Sequence, residues 1–126
     1  MAQPGETDSL RRLTLVRADG NPGGIHRLSA SRIDPDTGAL SAFGAPVAIR
    51  ARPIHMTVDA GGSWLLTAYN LPSGMSVHPI GPDGAIGEEV RQAAPIDTGI
   101  YAHQIRMMPS DRALVLVTRG NNATAA

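Results

Sequence analysis

The feature that most constrains this chain is that its pieces recur at a spacing of nearly fifty residues. Ile33-Asp-Pro-Asp-Thr-Gly-Ala-Leu40 matches Ile80-Gly-Pro-Asp-Gly-Ala-Ile86 with one gap, 47 residues further on. His55, followed by Asp59-Ala-Gly-Gly-Ser-Trp-Leu-Leu66, matches His103, followed by Met108-Pro-Ser-Asp-Arg-Ala-Leu-Val115, with one gap and an offset of 48. The first pair is turn chemistry. Pro35 presets φ at a central position, Asp34 can accept from the backbone ahead, and Gly38 supplies positive φ at the exit. Gly81-Pro-Asp-Gly84 repeats this with one residue fewer, and a small residue and an aliphatic follow each turn, as in a hairpin.

Between the turns lie short apolar runs: Leu13–Val16, Ile25–Ile33, His55–Val58, Trp64–Tyr69, Met75–Ile80, His103–Met108 and Leu114–Thr118. Each has strand length, and no window of 12 or more residues holds a 3.6-residue apolar period, so the fold class is all-β. Trp64–Tyr69 and Leu114–Thr118 are apolar on both alternating faces, which suits strands covered by other sheets on either side. A unit of about 48 residues with four short strands is the blade of a β-propeller. The rival reading is a sandwich whose hairpins resemble one another by coincidence.

On this phase residues 52–95 make one whole blade, with His55–Val58 innermost and a weak outermost strand around Glu88–Ala93. His103 begins the next blade, and Leu13–Ile33 supplies the outer part of the previous one. Residues 12–126 thus read as a partial propeller of about two four-stranded antiparallel blades, and the polar residues 1–11 as a disordered leader. Propellers close with about 4–8 blades, so the chain is expected to join the remaining blades of a longer protein or to self-associate. Trp64 is the expected anchor of the blade core, with Met56, Met75, Met107 and Met108 filling gaps between blades.

Composition removes several function classes. Eleven arginines balance eleven acidic residues without a dense basic stripe, so nucleic acid is not an expected partner. With no lysine, Schiff-base and lysine-base chemistries are absent, whereas guanidinium forks for carboxylate or phosphate are plentiful. The absence of cysteine excludes thiolate metal sites, disulfides and a Cys nucleophile. The four histidines are separated and lack metal-ligand spacing, no nucleotide-binding glycine motif is present, and no cofactor is expected. No apolar run approaches a membrane span, and a cytoplasmic location is expected.

The succession Arg52-Pro-Ile-His-Met-Thr-Val-Asp59, Gly62-Ser-Trp-Leu-Leu-Thr-Ala-Tyr-Asn70, Ser76-Val-His-Pro-Ile-Gly-Pro-Asp-Gly84, Tyr101-Ala-His-Gln-Ile-Arg106 and Pro109-Ser-Asp-Arg-Ala-Leu-Val-Leu-Val117 resembles the seven-bladed propeller lactonases. That family is known from 6-phosphogluconolactonase, with carboxymuconate cyclases as relatives, and the likeness spans roughly residues 25–122. The resemblance implies about two of seven blades and a lactone substrate. It also implies a His-x-His or Pro-His pair at the start of an innermost strand, where Ala102-His103 keeps only the second partner. Where the family often has Asp-Leu-Gly-x-Asp, this chain reads Thr118-Arg-Gly-Asn-Asn122, which puts an acidic role there in doubt.

Lactone hydrolysis needs a base for water, donors for the developing oxyanion and cations for an anionic substrate. In an antiparallel blade the start of the first strand and the end of the second share one rim. His55 with Asn70, and His103 with Arg119, are therefore expected to border one mouth of the central channel, with Tyr101 on the loop leading in. His103 is the expected catalytic base or oxyanion donor. His55, Asn70, Tyr101 and Arg119 are the expected substrate-binding groups, while His26 and His78 are expected to be structural. The alternatives are a carboxymuconate-type lactonizing cyclase and a non-catalytic propeller module that binds a protein or small ligand.

Overall fold

Nine strands form three successive antiparallel meanders in a computed structural model that describes residues 25–120 in full and residues 13–17 and 124–125 as backbone. The first sheet holds β1 (Leu13–Arg17), β2 (His26–Ile33) and β3 (Leu40–Ile49). The second holds β4 (Pro53–Val58), β5 (Trp64–Asn70) and β6 (Ser73–Pro79). The third holds β7 (Ala102–Met107), β8 (Leu114–Thr118) and β9 (Thr124–Ala125). Strand order follows chain order in every sheet, and no helix occurs among the described residues. The expected leader over residues 1–11 lies outside the described residues.

The repeat is visible in the backbone bonds. Asp34 N donates to Ala39 O at 2.8 Å, and Gly81 N donates to Ala85 O at 2.8 Å. Ile33 then faces Leu40 as Ile80 faces Ile86, so the two turns are equivalent. The β4–β5 turn is closed by Asp59 N to Trp64 O and the β7–β8 turn by Met108 N to Ala113 O. Gly62 and Asp111 occupy the same place in these turns, and both have positive φ, 67° and 54°. Glycine meets that conformation without a Cβ penalty, and aspartate is among the few other residues that tolerate it.

The central sheet is packed on both sides. On β5 alternate side chains point to opposite faces. Leu65 and Tyr69 join Leu28, Ile49 and Ala51 of the preceding unit, whereas Leu66 and Ala68 join Met75, Ala102, Ile105 and Leu116 toward the following one. This is why residues Leu65–Tyr69 are all buried, as their two-sided apolarity implies. Leu114–Thr118 belongs to the third sheet, and Val117 is exposed on it. Trp64 does not anchor the core. It is 42% exposed at the first position of β5, and Tyr69 is the large buried aromatic instead. Met75, Met56 and Met107 pack between sheets, but Met108 lies exposed in the β7–β8 turn.

Two elements differ from expectation. Residues 40–49, rich in small residues and broken by Gly44 and Pro46, form a full outer strand, β3. Pro46 is accommodated because an edge strand need not donate along its free side. Residues 88–93, by contrast, form no strand. After the Ile80–Ile86 bridge, only Gly87 N to Pro79 O and Val90 N to Val77 O, both 2.8 Å, hold this stretch against β6. The 52–95 unit is thus three paired strands with a bridged fourth position. Adjacent Glu88 and Glu89, with the latter drawn to Arg50 at 2.8 Å, and then Ala93-Ala94-Pro95, leave little for a pleated ladder to use.

Candidate functional site

The strand register sets the rim. Pro53 at the start of β4 faces Tyr69 near the end of β5, and Asn70 faces Ser73. Ala102 at the start of β7 faces Thr118 at the end of β8. Beyond that pair the chains remain joined, since Arg119 N donates to Tyr101 O at 3.0 Å and Gly120 N to Ile100 O at 2.9 Å. A side chain at residue 120 would collide with Ile100, so this approach of the two segments requires glycine. Tyr101 and Arg119 are therefore neighbours on one rim, with His103 two residues further along β7.

His103 sits in a β-bulge. The β7–β8 register passes from Ala102↔Thr118 to Gln104↔Val117, which leaves His103 unpaired between them. Ala102 is fully buried while His103 is exposed, in keeping with a bulge that re-aims one side chain. The β4–β5 pair has the same irregularity at residue 54, since Pro53 faces Tyr69 and His55 faces Ala68. His103 is thus equivalent to Ile54, and His55 to Gln104, at an offset of 49 residues. The sequence match of His55 with His103 at 48 is off by one. A single shared residue type outweighed the longer strand pattern.

The two histidines accordingly differ. His55 Nδ1 accepts the backbone N–H of Ile105 at 3.3 Å, which ties β4 to the next sheet's innermost strand and leaves the Nε2 side as donor. His103, Tyr101, Arg119 and Asn70 make no side-chain hydrogen bond or ion pair among the described residues. Tyr101 has φ of 55°, an unfavourable conformation for a bulky residue. Its side chain is 46% exposed. Of the five expected site residues, the structure joins Tyr101 and Arg119 closely and sets His103 beside them. Asn70 lies on the neighbouring sheet's rim, and His55 is engaged in a contact between sheets.

A second set of polar groups was not evident from the sequence. An open cleft of about 650 Å³ lies between the start of β6 and the irregular crossover, residues 89–98, that leads to β7. Its lining includes Arg50, Ser73, Met75, Glu89, Arg91, Gln92 and Ile96. Arg50 Nη2 pairs with Glu89 at 2.8 Å, also donates to the Met75 carbonyl, and its guanidinium stands 5.5 Å from the Tyr69 ring centre. Ser73 Oγ donates to Thr98 O and accepts from Ala102 N, both at 3.0 Å, so the cleft wall is one bond from the rim. The stretch lacks strand periodicity, and the adjacent Arg91-Gln92 between Val90 and Ala93 was the available signal.

Beneath these groups, Tyr69 Oη and Ser76 Oγ share a hydrogen bond of 2.6 Å. Burial pushes the Tyr69 hydroxyl above its ordinary range despite this bond. His78, on the same face of β6 as Ser76, is fully buried with neither ring nitrogen bonded, and burial pushes its pKa down. Among the described residues no group of three or more acidic or histidine side chains is placed to hold a metal ion.

A sequence model of the family described as "Lactonase, 7-bladed beta-propeller" matches residues 11–123. The chain belongs to this family. Among solved structures, the periplasmic gluconolactonase PpgL of Pseudomonas aeruginosa is similar, with a TM-score of 0.66 and 20% sequence identity over 82% of this chain. At that identity the likeness concerns the fold. The chain spans 32% of the length of that protein. No curated protein matches. The partial propeller read from the repeat is therefore the fold of this chain.

Proposed function

We propose that this chain contributes part of the channel mouth of a lactonase acting on a sugar-acid lactone such as 6-phosphogluconolactone, with His103 nearest the chemistry. The observation that carries the reading is the bulge at the start of β7. It leaves His103 exposed and unbonded, beside Tyr101 in a strained backbone conformation and Arg119 with a free guanidinium. Bulges and strained residues concentrate at working sites, and membership of the lactonase propeller family supports lactone chemistry as the reading.

In this reading the neutral imidazole of His103 takes a proton from water as the water oxygen bonds to the lactone carbonyl carbon. The tetrahedral intermediate carries its negative charge on the former carbonyl oxygen, toward hydrogen-bond donors on the rim. When the ring C–O bond breaks, the imidazolium returns its proton to the leaving alkoxide, and the product is the open hydroxy acid. Arg119 holds an anionic group of the substrate through its fork, and Tyr101 lies along its path.

The test is lactone turnover by a complete propeller that bears these residues. A general base contributes ~10²–10⁴-fold, so His103→Ala should lower kcat by at least about a hundredfold with a smaller change in KM. Arg119→Ala should chiefly raise KM for an anionic lactone. A kcat for His103→Ala within about threefold of the parent would remove His103 from the chemistry.

A further inference from the structure

We propose that the cleft between β6 and the 89–98 crossover is an anion-binding site, with Arg91 as its principal ligand. The assignment concerns binding alone and holds whether or not the rim performs lactone chemistry.

Three observations carry it. First, the two cations that line the cleft are not equivalent. Arg50 is consumed by Glu89 and the Met75 carbonyl, which neutralises the one carboxylate in the lining. Arg91 lines the cleft and makes no ion pair or hydrogen bond among the described residues, so none of them competes for its five donors. Second, the crossover leaves several backbone donors unbonded. The backbone N–H groups of Ala93, Ala94 and Ile96 find no acceptor among the described residues, whereas Val90 N and Gly99 N are satisfied. Third, the wall is fixed. Ser73 Oγ joins the crossover at Thr98 to β7 at Ala102, and Val90 N is bonded to β6, so the loop is anchored at both ends.

A guanidinium fork beside free backbone amides binds a multi-oxygen anion. Met75 and Ile96 add apolar surface for a carbon skeleton. The ligand class is a small organic anion, and the shared chemistry is that of a carboxylate or a phosphate monoester. The occupant would lie one hydrogen bond from the start of β7, because Ser73 bridges the cleft wall to the amide between Tyr101 and His103.

The experiment is a titration of the isotopically labelled 126-residue chain, read by backbone amide chemical shifts, with inorganic phosphate, gluconate and 6-phosphogluconate as separate probes. The expected result is saturable shifts at Ser73, Gln92, Ala93 and Ala102 with at least one probe. Arg91→Gln removes a charge-assisted contact, so it should weaken that affinity roughly tenfold or more, and Arg112→Gln, in the β7–β8 turn of the third sheet, should leave it unchanged. Saturation by phosphate but not gluconate assigns the site to phosphoryl groups, and the reverse assigns it to carboxylates. Shifts that fail to saturate, shifts that Arg91→Gln leaves intact, or shifts that Arg112→Gln weakens equally would overturn the proposal. Lactone turnover plays no part in this readout, so its outcome is separate from the fate of His103.

Discussion

His55 Nδ1 accepts the backbone amide of Ile105 at 3.3 Å, joining the innermost strands of two neighbouring sheets through one side chain. Ile105 is fully buried, so removing this acceptor leaves its amide without a protein partner. An unsatisfied buried donor costs about 1–3 kcal/mol. His55→Ala should therefore lower the stability of the chain by about that amount in a denaturant titration. His55→Asn, which keeps a side-chain acceptor near the same place, should recover part of it. A histidine that served only a ligand would leave the unfolding midpoint unchanged on truncation.

A second expectation follows from the β4–β5 and β7–β8 turns. Asp111 holds φ of 54° where its counterpart is Gly62, and its two carboxylate oxygens each accept the Ala60 amide at 3.0 Å from the neighbouring sheet. The residue thus accepts backbone strain of about 1–2 kcal/mol and recovers energy through a contact between sheets. Asp111→Asn keeps an acceptor and tolerates this conformation, so it should change stability little. Asp111→Ala loses the acceptor and keeps the strain, and should cost about 1–2 kcal/mol. Asp111→Gly should fall between them, because strain relief offsets the lost bond. Thermal melts of the three variants, with Asp111→Asn highest, Asp111→Gly next and Asp111→Ala lowest, check the account.

These two residues show where the sequence was legible and where it was not. The repeat was readable because both turns, 34–38 and 81–84, use residues whose backbone preferences are strong and local. The two-faced apolarity of Leu65–Tyr69 announced a covered sheet in the same way. The register of β7 was not readable, because a bulge inserts one residue without a compositional mark, and the likeness of His55 and His103 masked the true offset. Trp64 misled for a related reason. Its size suggests a core, but burial is decided by position along the strand, and Trp64 stands at the exposed first position of β5. The cleft was least legible of all. Arg91 acquires its neighbours from Ser73 and Arg50, which lie far from it in sequence and approach only once the crossover is anchored.

The interface between the first two sheets should respond to pH through His78. Its pKa is lowered chiefly by burial, with Arg50 adding to this and Glu89 and Glu88 opposing it. The folded value thus lies below the unfolded value of 6.5. Well above pH 6.5 both states hold a neutral ring, and stability is insensitive to this group. As pH falls below 6.5 the unfolded chain takes up a proton that the folded chain excludes, so stability falls until the folded pKa is reached. Chemical denaturation between pH 8 and pH 5 should show this decline, with a slope no steeper than about 1.4 kcal/mol per pH unit. The decline should be largely absent in His78→Leu, whose apolar side chain also removes two unbonded buried nitrogens. An equal slope in that variant would assign the pH response to other groups.

Tyr101 allows strain and function to be separated. Its φ of 55° costs energy that the Arg119–Tyr101 and Gly120–Ile100 backbone bonds enforce, while its ring is 46% exposed and makes no hydrogen bond among the described residues. A strained, unbonded aromatic at a rim gains nothing for the fold, so Tyr101→Gly should leave stability within about 1 kcal/mol of the parent. Relief of the positive-φ penalty is offset by the greater chain entropy of unfolded glycine. If the ring lies along the substrate path, the same substitution in a complete propeller should raise KM for the lactone several-fold and alter kcat less. Tyr101→Phe distinguishes the two parts of the side chain. A KM near the parent would assign the contribution to the ring face, and a KM matching Tyr101→Gly would assign it to the hydroxyl. Stability loss without any change in KM would instead make Tyr101 a structural residue, and the strain at the start of β7 would then need a cause within the fold.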